Sequence, residues 1–93
     1  MSKRLVIGNW KMNPKSLKEA EALFKGIVTA SKDIKNVDIV VCPPYPFLTI
    51  AKKVLNKKIK LGAQDTSEML EGSYTSQVSS SMISSLGTTY VII

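Results

Sequence analysis

Apolar positions fall in two alternating rhythms along this chain. Leu5-Val6-Ile7, Val37 to Val41, a weaker stretch from Ile59 to Gln64, and Thr89 to Ile93 are short aliphatic runs. Such runs predict strands buried on both faces, as in a parallel sheet. Between the first two runs, Leu17, Ala20, Leu23, Phe24, Ile27 and Val28 recur at helical spacing, with Lys18, Glu21 and Lys25 on the other side. Ser16-Leu17-Lys18-Glu19 fits a capping box at the start of that helix. After Cys42-Pro43-Pro44 closes the second strand, Pro46 suits a first helical turn, and Phe47, Leu48, Ala51, Val54 and Leu55 form a second stripe. Ser79 caps a short third helix through Leu86, with Gly87 as its left-handed stop. Residues 65–78 form a polar connection longer than an ordinary strand-to-helix loop. The predicted order is βαβαβαβ, an α/β chain with one parallel sheet, in a single segment spanning 1–93.

Composition narrows the class. Ninety-three residues, 44% of them apolar, supply one core. A chain of this length buries only about 60–65% of its unfolded surface, so marginal stability is expected. No apolar run reaches the roughly 20 residues of a membrane span, and the run after Arg4 is too short for a secretory signal. One cysteine, Cys42, excludes an internal disulfide, and the chain has no histidine. Ser-His and Cys-His catalysis and a multi-cysteine metal cluster are therefore excluded. The class expected is a small, soluble, intracellular globular chain, with cytoplasmic localisation.

Charge is divided along the sequence. All 13 Lys and Arg lie in residues 1–60 with four acids, a net of +9, while residues 61–93 hold three acids and no base. The lysines fall between apolar positions, as on solvated helix faces, and no aromatic residues interleave with them to stack bases. A nucleic-acid partner is not expected. Asp65, Glu68 and Glu71 are read as solvated loop carboxylates, Cys42 as a small buried apolar residue, and Trp10 as a packing residue.

Lys11 is the candidate with chemistry. It follows the first strand at its carboxyl end, where sites of parallel α/β folds are built. An ammonium there is a compact donor to phosphate or to a developing oxyanion. Asn9, two residues earlier on the same side of the strand, can fix its position. Gln64 can orient the site or the long loop, or make an ordinary strand-end hydrogen bond.

Five segments, taken together, resemble the triose-phosphate isomerase family. They are Gly8-Asn9-Trp10-Lys11-Met12-Asn13, Cys42-Pro43-Pro44-Tyr45, Gly62-Ala63-Gln64-Asp65, Gly72 to Ser79, and Leu86-Gly87 with Tyr90 to Ile93. They stand in the family's order and spacing over the whole chain. The resemblance implies strands one to four of an eight-stranded (β/α) barrel. It also implies an enzyme of glycolysis and gluconeogenesis that interconverts dihydroxyacetone phosphate and glyceraldehyde 3-phosphate without a cofactor. On that resemblance Lys11 is a catalytic and substrate-binding residue, Asn9 a substrate-binding residue, and Thr75 and Gln64 belong to the homodimer loop. The implied glutamate and histidine have no counterpart in these 93 residues, so the chain is expected to be an inactive N-terminal fragment. The loop departs from the family pattern at Ser73, Ser76 and Gln77, and a serine at a left-handed position is strained.

The apolar end at Ile93 also suggests truncation. Half a barrel leaves two sheet edges and an uncovered face, so self-association is expected. A self-assembling structural or engineered module and a weak phosphate binder are the alternative readings.

Overall fold

A computed structural model describes residues 3–93. The elements are β1 (Arg4–Asn9), α1 (Leu17–Ala30), β2 (Val37–Cys42), a 3-10 turn (Tyr45–Phe47) running into α2 (Leu48–Val54), β3 (Ile59–Ala63), α3 (Ser80–Ser85) and β4 (Tyr90–Val91). The sheet order is β1-β2-β3-β4, all parallel, and it curls into half of a barrel. The register pairs Ile7 with Val40, Asn9 with Cys42, and Gly62 with Tyr90.

The core lies between β2–β3 and helices α1 and α2. Ala20 and Phe24 of α1, Val41 of β2, Leu48 and Ala51 of α2, and Ile59 and Leu61 of β3 are buried together. Trp10 stacks on Phe24 with ring centroids 4.6 Å apart, so it packs as expected. Ser16 caps α1 by accepting from the Glu19 amide at 3.2 Å, while the Glu19 carboxylate reaches back to the Lys15 amide at 3.3 Å. Ser79 caps α3 through the Met82 amide at 3.2 Å, and Gly87 takes φ +84° after it. These local stops set where the chain re-enters the sheet.

Two sequence readings are corrected. β1 is not buried on both faces: Leu5, Val6 and Ile7 are each about half exposed. Its aliphatic run has the composition of a central strand, but it pairs with β2 alone. The fourth strand is also shorter than Thr89–Ile93. Only Tyr90 and Val91 are strand, although Thr89 donates to the Leu61 carbonyl and Ile92 to the Ala63 carbonyl, each at 3.0 Å.

Candidate functional site

The carboxyl ends of β1, β2 and β3 meet around the backbone of Lys11. Asn9 ends β1, and its Oδ1 accepts the Lys11 amide at 2.9 Å. Trp10 continues the strand direction by donating its amide to the Cys42 carbonyl at 3.1 Å. The chain then turns sharply, with Lys11 at φ +56°. For a long side chain this left-handed conformation costs on the order of 1 kcal/mol, and surrounding contacts must hold it.

Gln64 supplies one of those contacts from 53 residues away. Its Nε2 donates to the Lys11 carbonyl and to the Cys42 carbonyl, both at 2.8 Å. One side-chain amide thus ties the turn after β1 to the end of β2 from the residue after β3. Lys11 is clamped at both its amide and its carbonyl, while its ammonium is left exposed and is in neither ion pair formed among the described residues.

Lys11, Met12, Pro44, Tyr45, Pro46, Gln64 and Asp65 line an open cleft of about 250 Å³. The Tyr45 hydroxyl donates to the Asp65 carbonyl, which pins the start of the long loop against the turn after β2. Burial, and secondarily the negative charge of Asp65, push the Tyr45 phenol above its ordinary pKa. It therefore remains a neutral donor at neutral pH. Cys42 is buried at the end of β2, and burial raises its thiol pKa as well. A thiol raised in this way is a packing group rather than a nucleophile.

The cleft can hold an anion against an ammonium. Asp65 is the one carboxylate that lines it, while the chain lacks histidine and Glu68 and Glu71 sit out on the exposed loop. Thr75 is exposed near the loop tip and is not among the residues lining the cleft. Beside it Ser76 adopts φ +66°, the strained conformation expected from a serine at that position. The sequence pairs Lys11 with Asn9 and leaves the role of Gln64 open, and it does not single out Tyr45. The signal for Tyr45 was weak, since a tyrosine after two prolines reads simply as a turn.

A parallel half-barrel with its clamped lysine at the carboxyl ends of the strands belongs to the (β/α) barrel class of α/β proteins. The chain belongs to the triosephosphate isomerase family, whose model matches residues 4–93. It is 43% identical over 94 residues to the triosephosphate isomerase of Hahella chejuensis, covering 100% of this chain and 37% of that protein. It is 41% identical over 90 residues to that of Psychromonas ingrahamii, covering 96% and 36%. It is 40% identical over 94 residues to that of Dictyoglomus thermophilum, covering 100% and 37%. The chain therefore spans a little over a third of the length of the curated relatives it matches. Among the described residues no helix is long and apolar enough to cross a membrane.

Proposed function

We propose that these 93 residues are an N-terminal portion of a triosephosphate isomerase and carry the cationic arm of its triose phosphate site. The observation behind this reading is the clamp on Lys11: a positive-φ lysine held by Asn9 and Gln64 at the carboxyl ends of the strands. Lys11 is the catalytic and substrate-binding cation, pairing with the phosphate and with the negative oxygen that develops when a proton leaves the adjacent carbon. Asn9 is assigned to substrate binding, and it also orients the Lys11 backbone. Gln64 is a positioning residue acting through Lys11, and Thr75 belongs to the dimer loop. The portion alone is inactive, because the glutamate base and the histidine electrophile that the family resemblance implies have no counterpart in it. A cytoplasmic protein of glycolysis and gluconeogenesis fits its free, buried thiol.

A coupled isomerase assay on the chain, with Lys11→Ala as control, tests this. Equal, background rates support the reading of inactivity, and turnover that Lys11→Ala abolishes overturns it. Adding glycerol phosphate while recording amide chemical shifts tests the cationic arm. Shifts centred on Asn9, Lys11 and Gln64 and lost in Lys11→Ala support it; an unchanged spectrum at millimolar ligand removes it.

The half-exposed aliphatic side chains of β1 favour a second property, self-association. Sedimentation over a range of concentrations should show mass rising with concentration; a constant monomer mass would reject it.

A further inference from the structure

At the amino end of β3 a cleft of about 280 Å³ opens between α2, β3 and the turn before β4. It is separate from the Lys11 turn. Gln64, which clamps that turn, follows the other end of β3, and the strand's five residues span about 16 Å. The floor of the cleft is aliphatic. Ala51, Ile59 and Leu61 are buried in the core and Leu55 packs against them, so the floor is a fixed surface. Asn56 and Thr89 add polar groups at its edge.

Lys52 and Lys57 are the charges on the rim, and both are exposed. The Lys52 stem passes close to Gly87: a Cβ built there would lie 3.3 Å from its Cε and 3.7 Å from its Nζ. The Lys52 ammonium therefore stands over the turn before β4. Lys57 sits on the turn from α2 to β3, which Asn56 braces twice. Its carbonyl accepts the Ile59 amide at 3.2 Å, and its Oδ1 accepts the Lys58 amide at 3.0 Å. The Lys58 ammonium turns away to the carbonyls of Ser31 and Lys32. Lys60 alternates on β3 with the buried Ile59 and Leu61, so its side chain projects to the other face of the sheet. No acidic residue lines the cleft, and neither Lys52 nor Lys57 is in an ion pair among the described residues.

We propose that this cleft binds a small amphipathic anion, a short aliphatic chain ending in a phosphate or a carboxylate. Charge complementarity selects the head group. Charge of one sign above a low-dielectric wall focuses the field and concentrates anions, and an ammonium is a compact donor suited to such a group. The aliphatic floor selects the body, because a chain laid on Leu55, Ile59 and Leu61 is removed from water. Size selects a small molecule, since the volume lies at the lower end of ligand pockets. The site shares no residue with the Lys11 cleft and stands whether or not that reading does.

Titration of the isotope-labelled chain, followed by amide chemical shifts, tests the proposal. Hexyl phosphate and hexanoate should both move the amides of Lys52, Leu55, Lys57, Leu61 and Thr89, and the tighter of the two identifies the head group. Each methylene from butyl to hexyl phosphate should tighten binding about two- to fourfold. Inorganic phosphate and hexanol, each holding half of the chemistry, should bind far more weakly. Lys52→Gln with Lys57→Gln changes two exposed side chains and should weaken hexyl phosphate roughly tenfold. Raising the salt to about 0.5 M should weaken binding to the wild-type chain in the same direction, a check that needs no variant. Shifts confined to Asn9, Lys11 and Gln64, or to the exposed aliphatic residues of β1, would overturn the proposal. So would hexanol binding as tightly as hexyl phosphate, an unchanged affinity in the double variant, or a silent spectrum at millimolar hexyl phosphate.

Discussion

β1 and β2 carry nearly the same aliphatic run, and they do different work. Ile7 of β1 pairs directly with Val40 of β2, yet Ile7 is 48% exposed and Val40 is completely buried. β2 has a strand on each side, and the core residues Phe24 and Leu48 of the helices pack with its Val41. β1 has one neighbour strand and a rim open to solvent. Local composition thus sets the tendency to form strand, while burial is set by how many neighbours the fold supplies.

The sharpest test of that contrast is a pair of truncations. Phe24→Ala removes a fully buried ring that also stacks on Trp10. It should cost about 3–5 kcal/mol, which approaches the whole stability of a domain this small. Ile7→Ala removes a side chain that is already half in water, and about 1–2 kcal/mol is expected. Urea unfolding followed by circular dichroism measures both. Equal losses would mean that the β1 rim is covered in solution.

A smaller effect is expected where the central strands meet most closely. A Cβ on Gly62 would lie 2.5 Å from the Cys42 sulfur and 3.1 Å from Val40 Cγ1. Gly62→Ala must push β2 and β3 apart or displace Cys42, at about 1–3 kcal/mol. The matching change on the edge strand, Gly8→Ala, meets only the Val40 carbonyl oxygen at 3.9 Å and should be nearly neutral. If both substitutions shift the thermal midpoint alike, the centre is looser than its packing implies.

Gln64→Ala probes how the centre holds the site. It leaves the Lys11 and Cys42 carbonyls without their shared donor. About 1–2 kcal/mol is expected, because the exposed Lys11 side can recruit water while the part-buried Cys42 side cannot do so as well. The readout that separates positioning from bulk stability is the Lys11 amide. Its chemical shift should move in Gln64→Ala and stay fixed in Ile7→Ala, and a motionless Lys11 signal would show that Asn9 alone holds the turn.

Much of this was legible in the sequence, for a physical reason. Ser16 and Ser79 act within three residues of their targets, and the aliphatic runs report the strand tendency locally. Lys11 and Asn9 could be picked out together because they stand two positions apart. The clamp from Gln64 was not legible. It spans 53 residues, and an amide at a strand end looks the same whether it meets water or two carbonyls. The exposure of β1 was legible from the half-barrel topology, which leaves open edges and an uncovered face, but not from the strand itself: an aliphatic run does not say whether a strand has one neighbour or two. The positive φ of Lys11 carried no signal either, since nothing about a lysine advertises that conformation.

The smallest effect concerns the one titratable group buried at the centre. Burial raises the Cys42 pKa in the folded chain above its ordinary value. The unfolded chain therefore releases the thiol proton first as pH rises, and from that point the unfolded state binds fewer protons than the folded one. Stability is unaffected below the ordinary thiol pKa, near about 8.5, and declines as pH climbs from there toward the raised folded value. The thermal midpoint should fall across that window, and Cys42→Ala should flatten the fall even if it lowers the midpoint overall. Tyr45 is raised in the same direction, so Tyr45→Phe should remove only the part of the decline that begins higher, near about pH 10. A midpoint that holds level through the thiol window in the wild-type chain would mean that water reaches the sulfur, and that the centre of the sheet opens as readily as its rim.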